Sequence, residues 1–308
     1  MSALNAIFRK TILLVTHNRA VAGGVRRYGM RLGAARFVAG ETFDECAVVL
    51  KSLNDKGLAT NTTLLGEGVA SEEYASSVVA SYRTILDGIA ERGLQTNVAL
   101  KLTHLGLDLG EDVAYRNVAD LVDHAAKLGN FVRIDMEESG RVDPTLRIYR
   151  RLREQGRDNV GTVLQSALYR SEADLRSLLE YHPNLRLVKG AYLEPASIAY
   201  VKKADVDASY LSMARLSLSD GGYTAIATHD EKIINELITY TYQNNIPADR
   251  FEFQMLYGIS SQLQLSLVER GYKVLVATPF GPEWYFYLMR RLAERPANLL
   301  FVARGVRR

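Results

Sequence analysis

From residue 58 onward, short strand-like runs alternate with helical stretches of a dozen or more residues, and no other feature constrains the fold as strongly. The runs number eight, at 58–66, 97–103, 131–136, 160–166, 185–191, 223–228, 251–256 and 273–278. Eight strands with helices between them favour an α/β fold of the (βα)8 TIM-barrel type. The alternative is a doubly wound open sheet, which usually has fewer strands.

The clearest helix lies between the first two strands, over residues 72–92. Ser71 precedes it and Gly93 follows it, as start and stop signals should. Its apolar residues recur at steps of three and four, which predicts one buried face: Val78, Tyr82, Ile85, Leu86 and Ile89.

The first 56 residues lack this alternation and carry Arg, Lys and Leu at helical spacing. We predict helices over 3–17, 18–38 and 42–56, the last beginning at a Thr42 cap with Glu45 three residues on. The predicted domains are therefore N-terminal helices, residues 1–56, packed on a barrel of residues 57–308.

Composition excludes several classes of protein. With 47% apolar residues the chain can build a core, and 38 basic against 35 acidic residues give no excess that predicts nucleic-acid binding. The single cysteine, Cys46, excludes a disulfide framework and is expected to fill the core. No run approaches the roughly 20 apolar residues of a spanning helix, so we expect a cytoplasmic-type protein, with peripheral membrane contact left open.

Strand alternation places charged side chains inside the predicted barrel, because alternate residues of a barrel strand face its centre. In the third run the apolar residues alternate with an inward set of Arg133, Asp135 and Glu137. Other strands send inward a further polar set with one leucine: Lys101, Gln165, Arg186, Glu252, Gln254 and Leu256.

Buried charges are costly without partners, so this set is either a paired structural network or a ligand site at the C-terminal mouth of the barrel. A lone inward lysine, Lys101, would also fit a lyase or aldolase that forms a Schiff base. The segment 287–294 adds a helical face on which Tyr287, Arg290, Arg291 and Glu294 lie at i, i+3, i+4 and i+7. Two arginines beside a ring suit a carboxylate ligand, although arginine pairs also occur in surface ion pairs.

Five separated segments resemble the proline dehydrogenase family in order and in strand. They read LQS at 164–166, RLVKGAY at 186–192, ATHD at 227–230, FEFQMLYG at 251–258 and WYFYLMRRLAE at 284–294. The resemblance implies an FAD-dependent (βα)8 barrel of the monofunctional bacterial type, with noncovalent FAD. It implies oxidation of L-proline to a cyclic imine, 1-pyrroline-5-carboxylate, by hydride transfer to flavin N5.

The resemblance also implies roles for particular residues. Three cations would bind the substrate carboxylate and three side chains would pack on the pyrrolidine ring: Lys101, Arg290 and Arg291, and Tyr192, Leu256 and Tyr287. Arg186 would lie near flavin N5, and Glu67 would pair with Arg290 as a gate. The remaining cofactor contacts would be Gln165, Val188, Lys189, Gly190, Ala191, Thr228, His229, Gln254 and Glu294. To bring its arginines to the mouth, the helix after the eighth strand must lie over the barrel.

One position departs from the family pattern. Where proline enzymes carry Tyr-x-Pro-x-Gly at the eighth strand, this chain has Ala277-Thr-Pro-Phe-Gly, so the phenol that would touch the substrate ring and Asp135 is absent. A small residue at this position resembles the hydroxyproline dehydrogenases of the family, which implies a ring-substituted substrate such as 4-hydroxyproline. The alternative is drift or an engineered change, with water in the gap.

The resemblance implies partners as well. Electrons would pass to a quinone, which implies peripheral contact with the inner face of a membrane, and the imine would pass to a separate pyrroline-carboxylate dehydrogenase. A non-catalytic flavin barrel that binds another cyclic amino acid stays open as an alternative function.

Overall fold

Eight parallel strands close into a barrel in the computed structural model, which describes residues 33–294 except the side chains of Arg290 and residues 292–294. The strands are β1 (Ala59–Leu64), β2 (Thr96–Leu100), β3 (Val132–Ile134), β4 (Val160–Gln165), β5 (Asn184–Val188), β6 (Tyr223–Ala227), β7 (Phe251–Leu256) and β8 (Val274–Phe280). Each pairs with its neighbours in chain order and β8 pairs back with β1. The predicted (βα)8 fold is confirmed, and each predicted run overlaps one strand.

Nine α-helices accompany the strands in the described part of the chain. They are α1 (Phe43–Asn54), α2 (Glu72–Glu91), α3 (Glu111–Lys127), α4 (Val142–Glu154), α5 (Ser171–Leu178), α6 (Lys203–Asp220), α7 (Glu231–Gln243), α8 (Ser261–Glu269) and α9 (Trp284–Glu294). Within residues 33–294, no helix combines the length and the apolar composition that crossing a bilayer requires.

Helix α2 forms as its sequence predicts. The Ser71 side chain caps it by accepting a hydrogen bond from Tyr74 N at 3.2 Å. Every apolar residue of the predicted face is 4% exposed or less, and each contributes about 1.5–3 kcal/mol by burial: Val78, Tyr82, Ile85, Leu86 and Ile89.

Helix α1 begins in a capping box, as predicted. Thr42 Oγ1 accepts from Glu45 N at 3.3 Å, and the Glu45 carboxylate accepts from Thr42 N at 3.4 Å. The helix packs outside the barrel against β1 and β8, where the Cys46 thiol is buried 3.4 Å from Thr62 Oγ1. Burial raises the pKa of Cys46 to about 12, so the thiol stays protonated and fills the core as expected.

Helix α1 packs on the outer surface at β1 and β8, whereas α9 packs near the C-terminal ends of the strands. Helix α9 packs in a separate apolar cluster, here named the mouth cluster, of Ala34, Phe37, Val38, Trp284, Tyr285, Leu288 and Met289. Leu65 and Ile259, just beyond the C-terminal ends of β1 and β7, contact this cluster. Trp284 Nε1 also donates to Glu41 Oε1 at 2.7 Å.

The predicted helix over 18–38 is wrong at its described end, where only the 3-10 turn Ala34–Arg36 forms. Gly33 has a φ of 126°, outside the helical region, and Phe37 and Val38 then turn into the mouth cluster. The helix predicted over 3–17 and the rest of 18–38 fall outside the described residues. The division at residue 56 stays a prediction.

Candidate active site

A buried guanidinium lies at the centre of the barrel. Arg186 of β5 is 8% exposed and reaches three other strands. Its Nε donates to Gln254 Oε1 at 2.6 Å, its Nη1 to Asp135 Oδ1 at 2.7 Å and its Nη2 to Asn61 Oδ1 at 3.1 Å. The four residues lie on, or directly after, β1, β3, β5 and β7, the alternate strands that share one layer of a barrel interior. We call them the central layer.

The alternation of the strands predicts three members of this layer and misses the fourth. Asp135, Arg186 and Gln254 face inward as expected. Asn61 is not predictable in the same way, because its neighbours on β1, Thr60 and Thr62, are polar residues that are buried on the outer side of the strand, so β1 shows no alternation of polar and apolar residues. The cluster is mutually paired, as the network alternative requires. Yet the pairing uses three of the five N–H groups of a guanidinium, and leaves two without a partner among the described residues.

Lys101, beyond the end of β2, forms an ion pair with Glu67 from the loop after β1. The lysine side chain is 17% exposed and the glutamate 48% exposed, so the pair lies at the rim of the barrel. The resemblance instead predicts a pair between Glu67 and Arg290. The Arg290 side chain is outside the described part, so that pair stays a prediction, and Lys101 is one partner of Glu67 among the described residues.

His104, which sequence reasoning missed, lies beneath this pair. The side chain is 4% exposed, and its ring packs so closely on Gly66 that a Cβ there would come within 2.3 Å of His104 Cε1. Burial, and then the nearby Lys101 charge, lower the pKa of His104 to about 4, so the ring is neutral at pH 7. The ring therefore supports the backbone next to Glu67 without adding a charge beside Lys101.

This burial predicts acid sensitivity. A folded pKa of about 4 against 6.5 in the unfolded chain means that the unfolded state binds the extra proton as pH falls. We expect unfolding free energy to drop by about 3 kcal/mol between pH 6.5 and 4 from this residue. Urea midpoints of His104→Phe should show a flatter pH slope than the wild type, whereas His182→Asn, at an exposed position, should keep the wild-type slope. Equal slopes for wild type and His104→Phe would contradict the assignment.

The segments that follow β4 and β5 lie side by side, and at Gly190 the backbone carries no side chain. Ala167 N donates to Lys189 O at 2.9 Å, which joins the two strand ends. Gly190 has a φ of 110°, and a Cβ there would lie 3.2 Å from Ala167 Cβ and 3.3 Å from Gln165 Oε1. A glycine is therefore required, and its bare backbone allows a flat ligand to approach closely. The Gln165 amide is fixed by donating to Glu137 O at 2.8 Å.

The Lys189 ammonium is paired within the protein. It lies 2.5 Å from Asp207 Oδ1 and 3.1 Å from Asp230 Oδ2. Direct binding of an anionic ligand by Lys189 would therefore require an exchange of partners. The other predicted residues of this loop are Val188 and Tyr192, both half-buried, and Ala191, which is exposed.

Two further predicted contacts lie after β6. His229 Nε2 accepts a hydrogen bond from Leu256 N at 3.0 Å, so a neutral ring carries its proton on Nδ1. Thr228 is buried, and its Oγ1 accepts from Asp230 N at 3.1 Å. This bonding fixes the end of β7, and with it Leu256, relative to β6.

Helix α9 carries the remaining predicted residues of the site. The Arg291 guanidinium carbon lies 5.4 Å from the centre of the Tyr287 ring, which confirms that the two residues share a face. Both side chains are half-buried. The side chains of Arg290 and Glu294, predicted on the same face, are outside the described part.

Ala277 lies on the inner wall of β8. It is the register partner of Asn61 on β1 and of Leu256 on β7, and partners in adjacent parallel strands point to the same face of the sheet. The short methyl side chain of Ala277 therefore lies beside Leu256, and it leaves free the space inside the barrel that a longer side chain at this position would fill.

Two features of these residues suit a flat organic ligand. No group of three or more His, Cys, Asp or Glu that could hold a metal occurs in the residues described. The bare backbone at Gly190 and the two remaining N–H groups of Arg186 instead fit a flat cofactor with acceptor atoms at its edge.

A closed parallel barrel with paired charges and a helix at its C-terminal mouth is the architecture of a barrel enzyme. The chain matches the family model described as proline dehydrogenase over residues 46–304, and it belongs to that family. The predicted family and the prediction of an enzyme are thereby confirmed, and the aldolase alternative loses its support.

Relatives match over nearly the whole chain. It is 41% identical over 300 residues to proline dehydrogenase 1 of Bacillus subtilis strain 168, covering 97% of this chain and 99% of that one. It is 40% identical over 307 residues to proline dehydrogenase of Deinococcus radiodurans, covering 98% and 99%. The crystal structure of proline utilization A from Bdellovibrio bacteriovorus, inactivated by N-propargylglycine, matches with a TM-score of 0.82 at 25% identity. That match covers 93% of this chain and 36% of the longer protein.

Proposed function

We propose that the protein is an FAD-dependent dehydrogenase of L-proline or a ring-substituted proline such as 4-hydroxyproline. The product for proline would be 1-pyrroline-5-carboxylate, and the electrons would pass to a quinone. The observation that carries the proposal is the central layer. There Arg186 donates to three acceptors, and two further N–H groups of its guanidinium stay available for a cofactor among the described residues. Noncovalent FAD, when bound, supplies the acceptor for the hydride that leaves the substrate.

The chain's own residues would bind and orient the substrate. Arg291, Arg290 and Lys101 would hold its carboxylate, since guanidinium and ammonium groups form charge-assisted hydrogen bonds with carboxylates. Tyr287, Tyr192 and Leu256 would pack on the ring. Such fixed orientation lowers the barrier, because it removes the entropy cost of aligning the reacting atoms.

Other residues would bind the cofactor. Arg186 would donate to its polar edge, and the backbone at Gly190 would lie against it, with contacts from Gln165, Val188, Lys189, Ala191, Thr228, His229, Gln254 and Glu294. As the C–H bond breaks and the hydride leaves the ring carbon of the neutral amine, the lone pair of the ring nitrogen forms the C=N bond, and loss of the N–H proton to water would complete the cyclic imine. Asp135 balances the Arg186 charge at 2.7 Å during this change.

The Glu67–Lys101 pair would act at the entrance. Because the resemblance assigns Lys101 to the substrate carboxylate, the arriving carboxylate would compete with Glu67 for the same ammonium. Glu67 is 48% exposed and can move into solvent when displaced. Glu67 would thus serve as a gate, through Lys101 as well as through Arg290.

Ala277 would widen the specificity. Its methyl group on the inner wall leaves room beside Leu256 for a ring substituent such as a hydroxyl. A quinone acceptor would bring the protein into peripheral contact with the inner face of a membrane. The imine would be consumed by a separate pyrroline-carboxylate dehydrogenase.

Colour tests the proposal directly. The purified protein should be yellow and should lose its absorbance near the flavin maximum when mixed with substrate without air. Yellow protein that no cyclic amino acid bleaches would support the non-catalytic alternative instead. Colourless protein that binds no added FAD would overturn the proposal.

The ring substituent is tested with the same readout. L-proline and trans-4-hydroxy-L-proline should both bleach the flavin of the wild type, and Ala277→Tyr should lose hydroxyproline activity while keeping proline activity, because the phenol fills the space beside the ring. A strong wild-type preference for unsubstituted proline would exclude the wider specificity. Leu265→Tyr, on the exposed side of α8, serves as a control for the added ring.

A further inference from the structure

The amide of Gln254 has only one hydrogen-bonding orientation available to it. The side chain is 4% exposed and lies between Arg186, whose Nε is 2.6 Å from Oε1, and Glu252, whose Oε1 is 2.5 Å from Nε2. A guanidinium only donates and an ionised carboxylate only accepts. The Gln254 oxygen must therefore face Arg186 and its NH2 group must face Glu252.

Glu252 is itself fixed from the opposite end of the barrel. Its carboxylate is 3% exposed, accepts from the Tyr223 hydroxyl at 2.9 Å and lies 3.0 Å from Lys273 Nζ. Burial, and then Glu252, raise the pKa of Tyr223, so the phenol remains a donor. A chain of hydrogen bonds thus runs from Lys273 at the N-terminal end of β8, through Glu252 and Gln254, to Arg186.

We propose that Glu252 is a positioning residue, which fixes the Gln254 amide and through it holds Arg186 in the orientation that the oxidation uses. The proposal rests on the proposed function. Glu252 reaches Arg186 through the Gln254 side chain, so its effect on the reaction is indirect. Without the carboxylate, the Gln254 amide can rotate and present its NH2 group to the guanidinium, where two donors meet.

The first measurement needs no cofactor. In flavin-free protein the Nε–H of Arg186, assigned by its loss in Arg186→Lys, should give a downfield, slowly exchanging signal in 1H–15N spectra. In Glu252→Gln the new carboxamide can donate as well as accept, so Gln254 is no longer held in one orientation. We expect this signal to move upfield and its exchange with water to become about tenfold faster or more.

The second measurement separates positioning from stability. Glu252→Gln should lower kcat about tenfold while leaving KM within about twofold, because the carboxylate-binding cations are untouched. The double variant Glu252→Gln with Gln254→Glu restores a donor facing an acceptor at both contacts, and should recover the Arg186 signal and part of kcat. Glu236→Gln on α7 removes an exposed carboxylate that is paired with Arg215 of α6, and should change neither the Arg186 signal nor kcat.

The results of these measurements distinguish a positioning role of Glu252 from a purely structural one. An unchanged Arg186 signal in Glu252→Gln, or a double variant no better than the single one, would overturn the positioning role. A lowered thermal midpoint with unchanged signal and kcat would show that Glu252 is only structural. If the wild type neither binds flavin nor oxidises a cyclic amino acid, the proposed function fails, and the spectra of the flavin-free protein still decide the role of Glu252.

Discussion

Replacing Arg186 with methionine should slow the reduction of bound flavin by substrate about a hundredfold or more. The loss of a preorganised, buried positive charge beside a site where negative charge develops has an effect of this order. Arg186 is held by three acceptors, so its charge is in place before the substrate arrives. Stopped-flow decay of the flavin absorbance under anaerobic conditions measures the rate.

A matched control exists one layer lower in the barrel. Arg133 is 2% exposed and donates to Asn184 O at 2.6 Å and Thr162 O at 3.0 Å, two acceptors outside the central layer. Arg133→Met should lower the urea midpoint, as Arg186→Met does, yet keep the rate of flavin reduction within about twofold. Equal slowing by both variants would mean that barrel integrity, and not the position of Arg186, sets the rate.

Replacing Arg291 with methionine should raise the apparent KM for the amino acid about tenfold or more. The variant loses charge-assisted hydrogen bonds to the substrate carboxylate, each contributing about 1.5–3 kcal/mol. The packing of α9 should persist, because Arg291 is half-buried and the mouth cluster does not include it. Steady-state kinetics with an artificial electron acceptor give the KM.

Two comparisons isolate the carboxylate in this experiment. Arg176→Met removes an exposed arginine that is paired with Glu172 on α5, and should leave KM unchanged. Pyrrolidine, which has the ring and lacks the carboxylate, should compete with substrate equally well in the wild type and Arg291→Met. A KM within about twofold of the wild type for Arg291→Met would argue against the carboxylate contact.

The barrel and much of its interior follow from local features of the sequence. Each strand is predicted by a short strand-like run, and in β3, β5 and β7 the alternation of apolar and polar residues indicates which side chains face inward. Asp135, Arg186 and Gln254 could therefore be placed together. The caps at Thr42 and Ser71 are likewise local, since they depend on residues within one helical turn.

Features that depend on contacts between distant segments could not be predicted in this way. The alternation along β2 predicts that Lys101 faces inward. It does not predict the ion pair with Glu67, because Glu67 lies in the loop after β1, where no periodic pattern indicates the position of a side chain. His104 carries no signal, since it lies in a short 3-10 turn and not on a strand. The close packing of its ring on Gly66 depends on tertiary structure, as does the packing of α9 in the mouth cluster.

The two halves of the candidate site rest on different parts of the fold. The central layer stands on the barrel, where every strand is hydrogen-bonded on both sides, whereas Tyr287 and Arg291 stand on α9 and the small mouth cluster. Local opening depends on the apolar contacts of the part that opens. We therefore expect α9 to open locally more readily than the barrel. Under the proposed function, the side of the site that carries Tyr287 and Arg291 would then move to admit substrate, while the central layer keeps its alignment.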